Sequence, residues 1–135
     1  MIWRDSLKIG VDEIDREHKE LFERFNSFIE IVRDGRCLKE KIDEIEKIFN
    51  FLGEYVVIHF KNEEKLQKES NYPDYEKHIK IHQKFKEEVE EFNKKILENR
   101  EDETLIQKFA GKVAAWLVNH VADEDQKIAE FIKKR

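Results

Sequence analysis

The stretch LKEKIDEIEKIFNFLGEYVVIHFKNEEKL, residues 38–66, decides how this chain folds. Leu38, Ile42, Ile45, Phe49, Leu52 and Val56 follow one another at alternating steps of four and three, and His59, Glu63 and Leu66 continue the rhythm. That period places all of them on one face of an α-helix. Two residues on this otherwise apolar face are polar. A carboxylate is almost never fully buried without a partner, and His59, four residues before Glu63, faces the same way.

Three similar segments flank this one. Before it, Ile14, Leu21, Phe22, Phe25, Phe28, Ile29 and Val32 recur at helical steps with His18 inside their stripe. They predict a helix over 12–34 that Asp12 or Asp15 can cap and the Asp34-Gly35 pair can end. After the 38–69 helix, Asn71, Tyr72 and Pro73 break the pattern. A third helix over 74–98 then carries Tyr75, His78, His82, Phe85, Val89, Phe92 and Ile96. Beyond a charged loop, a fourth over 103–134 carries Leu105, Phe109, Val113, Trp116, Leu117, His120, Val121, Ile128 and Phe131. Short connections make neighbours antiparallel. The expected fold is all-α, an up-down-up-down antiparallel four-helix bundle forming a single domain over 1–135, with residues 1–11 as an N-terminal arm. One Pro and four Gly argue against a turn-dense all-β chain.

Composition narrows the function. Charged residues make up 42% of the chain, yet 26 basic and 31 acidic residues leave a net charge of only -5. The mixture offers no basic footprint for nucleic acid. No ten apolar residues run consecutively and no leader pattern opens the chain, so neither a membrane span nor export is expected, and the cytoplasm is the expected compartment. The single Cys37 cannot form an intrachain disulfide and reads as an exposed thiol.

The histidines carry the chemistry. All five fall on the inward stripes, which chance would achieve in only about a few per cent of cases, taking a stripe as three or four positions in seven. His59 with Glu63, and His78 with His82, repeat the four-residue spacing that aligns two side chains on a helix. Asp125 follows His120 by five residues, which an ideal helix would splay by about 140°. A π-bulge between them would turn both inward. Five imidazoles and two carboxylates without a thiolate suit iron, and zinc or copper less well. Seven side chains exceed what one ion holds, so two ions bridged by the carboxylates is the economical arrangement. The residues three before the histidines are Asp15, Val56, Tyr75, Ile79 and Leu117, so the Glu-x-x-His pairs of ferritin-like dimetal proteins are missing.

The segments IDREHKELF (14–22), HFKNEEKL (59–66), YPDYEKHIKIHQKF (72–85) and WLVNHVADED (116–125) together resemble the hemerythrin family in its single-domain bacterial and archaeal form. The likeness extends to Trp3 in the arm and to Gly10-Val11 before the first helix. It implies a non-haem di-iron centre that binds O2 reversibly. Carried over by position, His78, His82 and His120 would hold one iron and His18 and His59 the other. Glu63, Asp125 and an oxo or hydroxo group would bridge the two. Two octahedral ions offer about twelve positions and this set fills eleven, leaving one open on the iron with two histidines. Leu21, Phe22, Phe60, Trp116, Leu117 and Val121 would line a dry O2 pocket. Two departures stand beside the site: Glu17 where Gln is common and Gln67 where Met is common. Gly53 and Gly111, inside helices, point either to close helix approach or to a ligand channel.

The favoured reading is an O2 carrier, store or delivery protein and not an enzyme. Its partner is O2, and whether a further protein receives the O2 is left open. The competing readings are a di-iron oxidase or peroxidase, an NO or O2 sensor using the same centre, and a structural or zinc-binding bundle.

Overall fold

The computed structural model describes residues 3–134, so Met1 and Ile2 of the expected arm and Arg135 lie outside the described residues. Four rods follow one another: α1 (Asp12–Arg33), α2 (Leu38–Glu69), α3 (Tyr75–Glu98), and a fourth made of α4 (Glu103–Asn119), a π turn (His120–Glu124) and α5 (Asp125–Lys133). No strand occurs among the described residues. Helix α1 packs on α2 and α4, and α3 packs on the same two, which is the square of an antiparallel bundle. None of the described helices is long and apolar enough to cross a membrane.

The helix ends are held in several ways. Asp102 caps α4, accepting from the Leu105 N–H at 3.0 Å. At α1 the cap position is Val11, without a side-chain cap, so neither Asp12 nor Asp15 does that job. Asp15 turns back instead, and its carboxylate accepts from the N–H groups of Ile9 (2.7 Å) and Gly10 (3.3 Å). This tethers the arm, which reverses at Gly10 with φ +89, a region that favours glycine. The Gln126 amide also donates to the Leu7 carbonyl at 2.7 Å, and Trp3 packs edge-on against Phe22. At its other end α1 stops at Asp34, as expected. Lys41 is fully buried there and donates to the carbonyls of Val32 (2.8 Å) and Asp34 (3.0 Å). Its ammonium satisfies acceptors that the helix end leaves free.

Apolar packing occurs in two bodies. The larger runs from Leu21, Phe22 and Phe60 through Val121 and fills most of the bundle. The smaller, Ile9, Ile14 and Ala129 with Val11 and Leu66, closes the opposite end. The polar interior residues lie between them, in a layer sealed from water on both sides.

Candidate metal centre

All four rods contribute to that layer. His18 comes from α1, His59 and Glu63 from α2, and His78 and His82 from α3. His120 opens the π turn and Asp125 begins α5. All seven are buried, with Glu63 and Asp125 at 0% exposure, so neither carboxylate can be stabilised by bulk water. The five-residue spacing is accommodated as the sequence predicts: the Asp125 N–H donates to the His120 carbonyl, closing the wide turn of a π-helix.

The seven side chains converge as two groups sharing their carboxylates. Glu63 Oε2 lies 3.1 Å from Nε2 of both His18 and His59, while Glu63 Oε1 lies 2.9 Å from His78 Nε2 and 3.3 Å from His82 Nε2. Asp125 is divided in the same way, with Oδ2 3.0 Å from His18 Nε2 and Oδ1 3.2 Å from Nε2 of His78 and of His120. Glu63, Asp125, His78, His82 and His120 therefore make one donor group, and Glu63, Asp125, His18 and His59 the other. Within each, the donor atoms lie within 4.8 Å of one another.

This donor set fits metal. Both Asp125 oxygens are buried and accept no hydrogen bond among the described residues, although ring nitrogens stand 3.0–3.2 Å away. His82 Nε2 and His120 Nε2 stand 3.0 Å apart. Neighbouring ligands of an octahedral ion with bonds of about 2.1 Å are separated by about 3.0 Å. These spacings are those of ligands aimed at a common centre.

Three carboxylates outside the donor set face the far side of the rings. His59 Nδ1 donates to Glu17 Oε1 at 2.8 Å, and Glu17 Oε2 accepts from Asn62 Nδ2 at 2.6 Å. Glu64 Oε1 lies 3.3 Å from His82 Nδ1, and Glu124 Oε2 lies 3.7 Å from His120 Nδ1, beyond hydrogen-bond length. Such partners fix the tautomer of a metal-binding imidazole. Glu17 is legible in the sequence as lying beside the site, whereas Glu64 and Glu124 do not stand out there. The available signal was adjacency, since each glutamate sits next to a ligand candidate in the pairs 17–18, 63–64 and 124–125.

Without metal, protons compensate the buried carboxylates. Burial opposes the charged form of His18, but the Asp125 and Glu63 carboxylates outweigh it and raise the imidazole to about 10. His78 is likewise opposed by burial and raised by Asp125 and Glu63, to about 9. His59 is raised by Glu17 and Glu63 against its own burial. Burial pushes Glu63 up, but the surrounding His120, His18, His59 and His78 hold it well below the usual carboxylate range.

Residues 9–132 match the pattern of the Hemerythrin HHE cation binding domain. The chain belongs to the hemerythrin family. It is 32% identical to Bacteriohemerythrin of Clostridium acetobutylicum over 125 residues, covering 93% of this chain and 95% of that one. It is 29% identical to Bacteriohemerythrin of Stenotrophomonas maltophilia, covering 98% and 82%. The crystal structure of wild-type hemerythrin superposes with a TM-score of 0.81 at 28% identity, covering 96% of this chain and 95% of that one. The hemerythrin family binds O2 at a non-haem di-iron centre, and this chain is a di-iron oxygen-binding protein of that kind.

Two of the six expected pocket residues of this hemerythrin chain, Phe60 and Trp116, stack on rings of the donor set. Leu21, Phe22, Phe60, Leu117 and Val121 are buried and Trp116 is half-buried. Phe60 lies flat on the His82 ring, with centroids 3.8 Å apart and planes at 4°, and Trp116 stacks on His120 at 4.5 Å and 14°. These two aromatics thus back the group with three histidines. Gln67, one turn beyond Glu63, is buried, and its side-chain amide has no partner among the described residues. Close helix approach does not account for Gly53 or Gly111, since a Cβ at either would meet nothing within 4 Å.

Proposed function

We propose that the chain binds two iron ions, with His78, His82 and His120 on one, His18 and His59 on the other, and Glu63 and Asp125 bridging them together with an oxo or hydroxo group. The observation that carries this reading is the division of each carboxylate's two oxygens between a three-histidine and a two-histidine group. The iron pair, when bound, supplies the electrons with which O2 is held and released. The chain's own contribution is asymmetry: the two-histidine group is one donor short of its neighbour, and that side is where O2 is accepted.

Leu21, Phe22, Phe60, Trp116, Leu117 and Val121 keep the site dry, which protects a reversible ligand from water and stray electrons. The flat contacts of Phe60 on His82 and Trp116 on His120 also fix those rings in orientation. All seven interior donors are committed to metal, leaving no side chain among them as a spare general base, and this supports a carrier or store over an oxidase. The test is the iron content of reconstituted protein together with the optical spectrum of the reduced form before O2, after O2 and after its removal. About two irons per chain and a spectral change that reverses are expected. One ion per chain, or a change that never reverses, overturns the carrier reading.

A further inference from the structure

Deeper in the main core than the metal layer lies a cavity of about 220 Å³ that the centre does not use. Phe25, Phe49, Leu52, Val56, Phe85 and Val113, all buried, form its inner wall. Its mouth opens between α2 and α3 at Gly53, Val57, Lys86 and Glu90. Protein interiors are packed as densely as organic crystals, so a void of this size forfeits contacts that the fold would otherwise make. Gly53 adds a second cost, because a glycine in mid-helix is unfavourable relative to alanine. Its φ is not in the left-handed region, and a Cβ there would meet nothing within 4 Å. Neither backbone geometry nor a close neighbour requires glycine at this position. What a side chain would occupy is the mouth.

We propose that this cavity is a binding site for a small neutral aromatic molecule of one ring or two fused rings. The volume exceeds that of an engineered apolar cavity of about 150 Å³ that takes up benzene. The rings of Phe25, Phe49 and Phe85 offer edges and faces of the kind aromatic guests pack against. At the mouth an anion would meet Glu90 and a cation would meet Lys86, so a net charge on the guest brings no advantage. Two stacked rings link the cavity wall to the centre. Phe85 stacks on Trp116 with centroids 3.8 Å apart, and Trp116 stacks on His120.

The experiment is calorimetric titration of the iron-loaded full chain with indole, benzoate and benzylamine. Indole is expected to bind once per chain with a dissociation constant of roughly 1 mM or tighter, the range ligand efficiency gives a molecule of this size. The two charged compounds should bind at least about tenfold more weakly. Gly53→Ala should leave indole binding unchanged within about twofold, whereas Gly53→Leu should weaken it by about tenfold or more. If circular dichroism shows Gly53→Leu unfolded, Val89→Phe fills the same cavity from α3 and takes its place. The proposal is overturned by no saturable indole binding, by unchanged binding in the filled variant, or by benzoate binding as tightly as indole. Because heat is measured and not O2 uptake, the result is independent of the proposed function.

Discussion

Consider metal-free protein at pH 7 titrated with ferrous iron under anaerobic conditions. His18, raised to about 10, and His78, raised to about 9, are then both protonated, whereas ligand imidazoles must be neutral. Filling the centre must therefore expel at least about two protons per chain, one from each of these rings. By linkage, these two rings alone make the apparent affinity for iron rise by at least about 100-fold per pH unit between pH 7 and about 9, and by at least about tenfold per unit from there to about 10. The same shifts determine the stability of the metal-free fold. A histidine whose folded value is raised contributes stability that is fully present below its unfolded value of 6.5 and is lost as pH rises through the folded value. Metal-free protein should thus weaken on the alkaline side, through about 9 and 10, and metal-loaded protein should not. Glu63 acts oppositely: its stabilisation is present above 4.5 and is lost as pH falls through its depressed value. Calorimetry in two buffers of different ionisation enthalpy counts the protons, and melts across pH give the stability. Release of fewer than one proton per chain at pH 7 would refute the picture of protons standing in for metal.

Four further outcomes are expected. Leu117→Ala removes a buried wall residue at a cost of about 2–5 kcal/mol, and the O2-loaded spectrum should still form but decay faster in stopped-flow measurements. Glu17→Ala, which leaves His59 Nδ1 without its acceptor, should lower metal affinity by about 10–100-fold in chelator competition. Lys41→Met leaves the Val32 and Asp34 carbonyls without their ammonium donor and should cost about 2–3 kcal/mol in denaturant unfolding, with iron content unchanged. Gly53→Ala meets no neighbour within 4 Å and should raise stability by about 1 kcal/mol, seen as a higher Tm.

The bundle and the donor set were legible because both rest on periodicity. Helical spacing alone lines up His59 with Glu63 and His78 with His82, and its violation between His120 and Asp125 predicts the π turn that the structure contains. Features that depend on contacts between rods were not legible. Asp15 looks like a helix cap by position, yet its carboxylate is drawn to the free N–H groups of an arm whose path the sequence does not specify. The role of Lys41 carries no signal in the sequence, because nothing local shows that the end of α1 will sit over it. The two glycine readings could be separated only by knowing which helix faces which, and the structure favours open space at Gly53.

The wide turn at His120–Glu124 constrains how this chain can vary. Each residue of a helix advances the chain by about 100° around its axis, so the extra residue sets the rotational phase of everything after it. That phase aims Asp125 at the donor layer, Gln126 at the Leu7 carbonyl and Ala129 into the closing apolar body, and it buries Ile128. Ala122 and Asp123, inside the turn, are exposed, so their side chains are free to change. Their number is not. Removing either would swing the last helix around its axis, withdrawing a bridging carboxylate, an anchor of the arm and the end of the core together. Across related chains this segment should therefore tolerate substitution and exclude gaps, its length being read by the fold more strictly than its letters.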